Sequence, residues 1–157
     1  MKRAARTLAA LLCFLLAACG SPAEPEATEQ PVMQTETTPE VTSMKLWIDE
    51  TEVPVTWEQN DSVAALRALA QDGGLTISMS MYGGFEQVGP IGQSITRDDS
   101  QTTTGAGDIV LYSGNQIVLF YGSNSWAYTR LGHMDLARAE LTALLGNGDV
   151  TIRIEAE

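Results

Sequence analysis

Beyond residue 43, apolar and polar residues alternate with a period of two along most of the chain, and this alternation marks out strands. Leu46 and Ile48 fall on one face of a first segment, and Lys45, Trp47 and Asp49 on the other. Val53, Val55 and Trp57 then alternate with Glu52, Thr56 and Glu58, so 44–49 and 52–58 form a hairpin. Pro54 lacks an N–H and belongs at an edge or a non-pairing position. Leu75, Ile77, Met79 and Met81 alternate with Thr76, Ser78 and Ser80, which predicts a strand over 75–82 with the methionines as core filling. Gly83-Gly84 breaks that strand, and residues 85–89 predict a short one. Two apolar runs, 109–112 and 116–121, flank Ser113-Gly114-Asn115, whose residues suit a tight hairpin turn. Trp126, Tyr128 and Arg130 follow at strand spacing and so project to one side. Val150, Ile152 and Ile154 alternate with Thr151, Arg153 and Glu155 in a closing strand.

The period lengthens in two places. Asp61 reads as the N-cap of a helix whose apolar side is Val63, Leu66, Leu69 and Ala70, with Gly73-Gly74 ending it. Asp135 reads as the cap of a second helix with Leu136, Ala139, Leu141 and Leu144 on its apolar side. Residues 93–107 are polar and predict a solvated loop, in which Asp98-Asp99 lacks the spacing of a calcium loop. About seven or eight short strands with few helices point to a mainly β domain closed into a barrel, since closure removes exposed edges.

The first 43 residues follow other rules. Lys2, Arg3 and Arg6 precede a short apolar run from Leu8 to Ala18, below the roughly 20 residues that a stable span requires. Leu16-Ala17-Ala18-Cys19-Gly20 resembles the bacterial lipobox. That resemblance implies a signal peptide over 1–18, cleavage before Cys19 and acylation of its thiol, which places the protein outside the cytoplasm on a lipid anchor; two or three acyl chains hold firmly where one is marginal. Residues 19–43 contain five Glu, no basic residue and little apolar periodicity, and are expected to be a disordered linker. The folded domain is then 44–157. With Cys13 removed and Cys19 lipidated, this domain has no thiol for a disulfide or a metal. There are 20 acidic residues against 9 basic ones, a balance that repels nucleic acid. Phosphate-loop, dinucleotide and zinc patterns are absent, so neither a cofactor nor a metal is expected.

Several stretches together, MKLWIDETEVPVTW, LTISMSMYGGFEQVGPIG, GDIVLYSGNQIVLFYG with YTRLG, and GNGDVTIRIE, resemble the bacterial cyclophilin-like fold family. The resemblance implies a closed eight-stranded β-barrel with two helices. Members of that family occur alone, as lipoproteins and beside flavodoxin-type domains, and their activity is not established. Catalytic cyclophilins carry a Phe-His-Arg stretch that binds proline and polarises its amide. Here Arg130 follows Thr129, and the single histidine, His133, follows Gly132. The fold therefore transfers and the catalytic residues do not.

Candidate ligand-binding residues cluster in two stretches: Tyr82, Glu86 and Gln87, and Tyr121, Trp126, Tyr128 and Arg130. Rings and a guanidinium are what a proline-binding site would use, with the cation drawing on the amide. Alternatively Arg130 pairs with a barrel carboxylate, Glu86 or Asp108. Arg97, in the polar loop, is a weaker candidate, and His133 reads as a surface or capping residue. The expected function is a non-catalytic module that binds a peptide or small molecule. A prolyl isomerase with a rearranged site, or an accessory domain for an envelope or redox partner, is the alternative.

Overall fold

The computed structural model describes residues 43–157, so the expected signal peptide, Cys19 and all but the last residue of the expected linker lie outside the described residues. Strands β1 (Met44–Ile48), β2 (Thr51–Val53) and β3 (Val55–Trp57) come first, followed by helix α1 (Asp61–Ala70). Next are β4 (Leu75–Tyr82), β5 (Glu86–Pro90), β6 (Ser100–Thr103), β7 (Asp108–Tyr112), β8 (Gln116–Phe120) and β9 (Ser125–Met134). Helix α2 (Arg138–Leu145) and β10 (Val150–Ala156) complete the chain. No helix among the described residues is long and apolar enough to cross a membrane.

The strands form one sheet in the order β2-β1-β10-β4-β5-β8-β7-β9-β3, with β6 added to β9. Pro54 explains the closure. β2 pairs with β1 (Leu46 opposite Val53), while β3 pairs with β9 (Val55 opposite Met134). These are two halves of one strand that changes partner at the residue with no N–H to donate. The Pro54 carbonyl still accepts from the Asp135 N–H at 2.8 Å. Counting β2 and β3 as one stave, and β6 as an appendage, the ten strands make a nearly closed antiparallel barrel of eight.

The interior is filled. Leu46, Ile48, Ile77, Met79, Ile109 and Leu111 belong to one buried cluster with Ile117, Leu119, Leu131, Ile152 and Ile154. Alternation along each strand sends these side chains inward. Each such burial stabilises the fold by about 1.5–3 kcal/mol relative to exposure. α1 adds Val63, Leu66 and Ala70 to the cluster, and α2 adds Leu141 and Leu145.

Three local expectations are corrected. The loop over 93–107 contains β6, whose Ser100–Thr103 pair with Ser125–Tyr128. The N-cap of α1 is Asn60, not Asp61: its Oδ1 accepts from the Val63 N–H at 2.9 Å. α2 starts at Arg138, because Asp135 is engaged elsewhere, accepting from Thr56 Oγ1 at 2.8 Å. The Glu140 carboxylate instead accepts from the Ala137 N–H at 2.9 Å, and Ala139 is exposed.

Candidate functional site

β7 and β8 are buried on both faces. Ile109, Leu111, Ile117 and Leu119 point into the barrel, while Val110, Val118 and Phe120 point outward and form a second apolar cluster with Tyr128. Register places Val88 of β5 opposite Val118, extending this outer surface. Tyr128 sits at its centre. Phe120 meets the Tyr128 ring edge-on at 5.8 Å, and Tyr112 does so at 6.0 Å. Edge-to-face contacts of this kind hold ring orientations beyond what burial alone supplies.

Beside this cluster lies a groove of about 340 Å³. Tyr82, Tyr112, Trp126 and Tyr128 supply its rings, and Val88 and Val118 its apolar base. Glu86, Gln116 and Asn124 are its polar members. Tyr82 and Trp126 are the exposed large hydrophobic residues of the described chain, 65% and 57% accessible, and both stand on this groove. Tyr82 is delivered by the end of β4, just before Gly83 and Gly84 turn the chain at φ 62° and 73°. A side chain at Gly83 would strike the Phe85 ring at 2.3 Å, so the turn requires glycine. Asn124 is fixed from behind: its carbonyl accepts from the Thr104 N–H at 2.8 Å, and its N–H donates to Thr104 Oγ1 at 3.0 Å. Its side-chain amide then donates to the Tyr128 hydroxyl at 3.2 Å.

Glu86 is the chemically distinctive member. Only 6% exposed, it has an enclosed Oε2 with no hydrogen-bond partner among the described residues. Burial pushes its carboxyl up from the ordinary glutamate range, and the Asn124 amide offsets this only in part. The Tyr121 and Tyr128 hydroxyls are raised as well, first by burial and then by the neighbouring Glu86 charge.

The structure thus brings four of the expected residues, Tyr82, Glu86, Trp126 and Tyr128, to one groove and sends three elsewhere. Gln87 faces inward, fully buried, and its Nε2 donates to the carbonyls of Leu145 at 2.7 Å and Gly148 at 2.6 Å. Tyr121 belongs to the interior cluster. Arg130 lines a different groove, beside Asn60, Arg97 and Thr129. Asp108 holds it there: Oδ1 accepts from Arg130 Nη1 at 3.1 Å and meets His133 Nδ1 at 3.1 Å, while Oδ2 accepts from the Gly105 N–H at 2.9 Å. Of the two readings of Arg130, pairing with a barrel carboxylate is the one observed. Arg97 is likewise paired, with Asp99 at 3.3 Å. Among the described residues no cluster of His, Cys, Asp and Glu is arranged to hold a metal ion.

Sequence reasoning missed Val88, Tyr112, Gln116, Val118 and Asn124. A signal for two of them was present: Tyr112 and Gln116 are the pair that closes the hairpin turn, directly opposite each other.

No curated protein and no solved structure matches the chain. The nearly closed barrel of eight staves and two helices is the fold that the cyclophilin resemblance implies, and the cyclophilin-like family's model matches residues 46–155; the chain belongs to the cyclophilin-like family.

Proposed function

We propose that this protein is a binding module which holds a peptide or small ligand in the outer-face groove, without chemical turnover, on a lipid anchor at Cys19 outside the cytoplasm. The observation that carries the reading is the groove itself: rings, two valines and one buried carboxyl with an unpartnered oxygen converge there, the mixture of apolar walls and few polar groups that ligand sites use. The lack of turnover is supported by where the cations are. Arg130 is engaged with Asp108 on another groove, and no Arg, Lys or His is among the residues that line the ring-bearing one. A proline ring could rest on Tyr128, but no guanidinium stands there to draw on its amide, and the Asn124 amide is engaged with the Tyr128 hydroxyl.

Peptides of the Xaa-Pro type, monitored for cis–trans exchange by NMR with and without the protein, test the reading. Line shifts without faster exchange are expected. Faster exchange that disappears in Tyr128→Ala would overturn the non-catalytic assignment. Anchoring is tested separately: Cys19→Ser protein should leave the membrane fraction, and its retention there would refute the lipid anchor.

A further inference from the structure

Resting on that reading, we infer that the groove selects an organic ammonium group, carried either by a free amine or by a lysine side chain. Three observations converge on a small cation with an apolar coat.

The first is an uncompensated carboxyl. Glu86 takes part in none of the ion pairs among the described residues, where Lys45 goes to Glu157, Arg97 to Asp99, Arg130 to Asp108 and Arg153 to Glu155. A buried acid with an idle, enclosed oxygen costs the fold free energy, and because Glu86 lines the groove, a positive charge seated there would offset that cost. A second observation is the ring arrangement. Tyr82, Tyr112, Trp126 and Tyr128 surround the same space as the carboxyl, and Tyr82 and Trp126 present open ring surface to solvent. Ring faces attract cations through their quadrupole, and an ammonium that keeps alkyl groups on its other sides loses little hydration on entering. Charge is the third. A net charge of −11 draws cations toward the molecule and disfavours anionic ligands. Size agrees with all three, because about 340 Å³ admits an alkylammonium or a lysine terminus.

A neutral ligand offering an N–H would satisfy the carboxyl oxygen equally well, so the discriminating comparison is between charged and neutral isosteres. Calorimetric titration of the protein with choline and with 3,3-dimethylbutan-1-ol, its uncharged counterpart, makes that comparison. Blocked lysine (N-acetyl, C-methylamide) against its Nζ-acetylated form, which keeps an N–H but not the charge, repeats it in a peptide setting. The ammonium form should bind at least about tenfold more tightly in whichever pair matches the physiological source, with charge and ring attraction combined. A tighter lysine derivative assigns a peptide source, and a tighter choline assigns a free small-molecule ammonium. Glu86→Gln should shrink the preference for charge several-fold, the rings keeping the remainder, while still binding the neutral form. Removing an acid whose burial disfavours its charge should not lower the melting temperature, which serves as the fold control. Trp126→Ala, at an exposed position, should weaken both forms and give a second variant that folds. Equal affinity for charged and neutral forms overturns the ammonium assignment, and a charge preference undiminished in Glu86→Gln overturns the part given to the carboxyl; either result leaves the binding-module reading intact. Absence of binding by any of the probes at millimolar concentration overturns both.

Discussion

Gln87 decides between a ligand-binding and a structural use of the Glu86-Gln87 pair, and Gln87→Met separates them. Methionine keeps the length and the apolar stem but has no N–H. In the parent, Nε2 donates to Leu145 O at 2.7 Å and Gly148 O at 2.6 Å, tying β5 to the chain at the end of α2. Losing both donors removes about 1 kcal/mol for each bond. The Leu145 carbonyl is in the buried part of this contact and gains no replacement partner, which adds up to about 1 kcal/mol more. A small gain offsets this, since Gln87 Oε1 is itself unpaired and its removal relieves a desolvation cost. The balance is a loss of about 2–3 kcal/mol, or roughly 8–12 °C in melting temperature for a domain of this size. Thermal unfolding followed by circular dichroism reads that loss, and titration with a groove ligand reads affinity. A melting temperature within a degree of the parent, together with lost affinity, would show that Gln87 faces the ligand and that the inward placement is wrong.

Three further outcomes follow from named contacts. Gly89→Ala places a Cβ 2.4 Å from Met79 Sδ and 2.9 Å from the Ser78 carbonyl, so urea midpoints should fall by an amount equivalent to about 1–3 kcal/mol of overpacking. Asn60→Ala removes the acceptor for the Val63 N–H and the donor to the Arg130 carbonyl at 2.9 Å; about 1 kcal/mol should be lost in the same assay, whereas Asp61→Ala should cost less. Asp108 gives a pH signature. Burial raises its carboxyl, but the Gly105 N–H, His133 and Arg130 outweigh burial and hold it below the ordinary 3.8. The folded state therefore binds this proton more weakly than the unfolded chain does, and the resulting stability is complete above 3.8 and lost as pH falls through the lower folded value. Asp108→Asn should flatten that part of the acid limb in unfolding free energies measured across pH 2–6; an unchanged acid limb would refute it.

Much of the barrel was legible because its strands bury one face and expose the other, so the period of two survives in the sequence. β4 and β10 are examples, with inward Ile77, Met79, Ile152 and Ile154 separated by polar residues. β6 was illegible because Ser-Gln-Thr-Thr carries no apolar face; β9 recruits it through backbone pairing and a 2.8 Å hydrogen bond between the opposed Thr103 and Ser125 hydroxyls. The site was half legible for a reason of parity. Adjacent residues on a strand face opposite ways, and in β5 the sequence Glu86-Gln87-Val88-Gly89 gives no apolar alternation to say which way is in. Register decides: Gln87 lies opposite the inward Leu119, and Glu86 opposite the outward Phe120. The same parity sends Tyr121 inward while its neighbour Phe120 points out. Arg130 shares the outward side with Tyr128, yet Asp108, remote in sequence, draws its guanidinium away. That pairing depends on a bulge between β7 and β9, where Ile109 faces Gly132 but Val110 faces Arg130, and no local pattern announces a bulge.

A barrel of eight strands leaves an interior just wide enough for its own side chains, and here Leu46, Ile109, Leu119, Leu131 and Ile152 fill it with no exposure at all. Nothing can bind inside without unfolding it. A binding function must therefore use the outside, and an outer strand face facing water would ordinarily be polar. β7 and β8 depart from that rule with Val110, Val118 and Phe120, which contribute nothing to closing the cylinder. Aromatic residues left standing in solvent at its margin, Tyr82 and Trp126, depart from it again in the same place. Val110, Val118 and Phe120 are themselves buried beneath Tyr128 and its neighbours, so packing accounts for the first departure; the exposed Tyr82 and Trp126 are what it leaves unexplained. Those two exposed rings stand beside the buried carboxyl of Glu86, and it is this pairing on the wall, rather than anything in the core, that supports the proposed recognition.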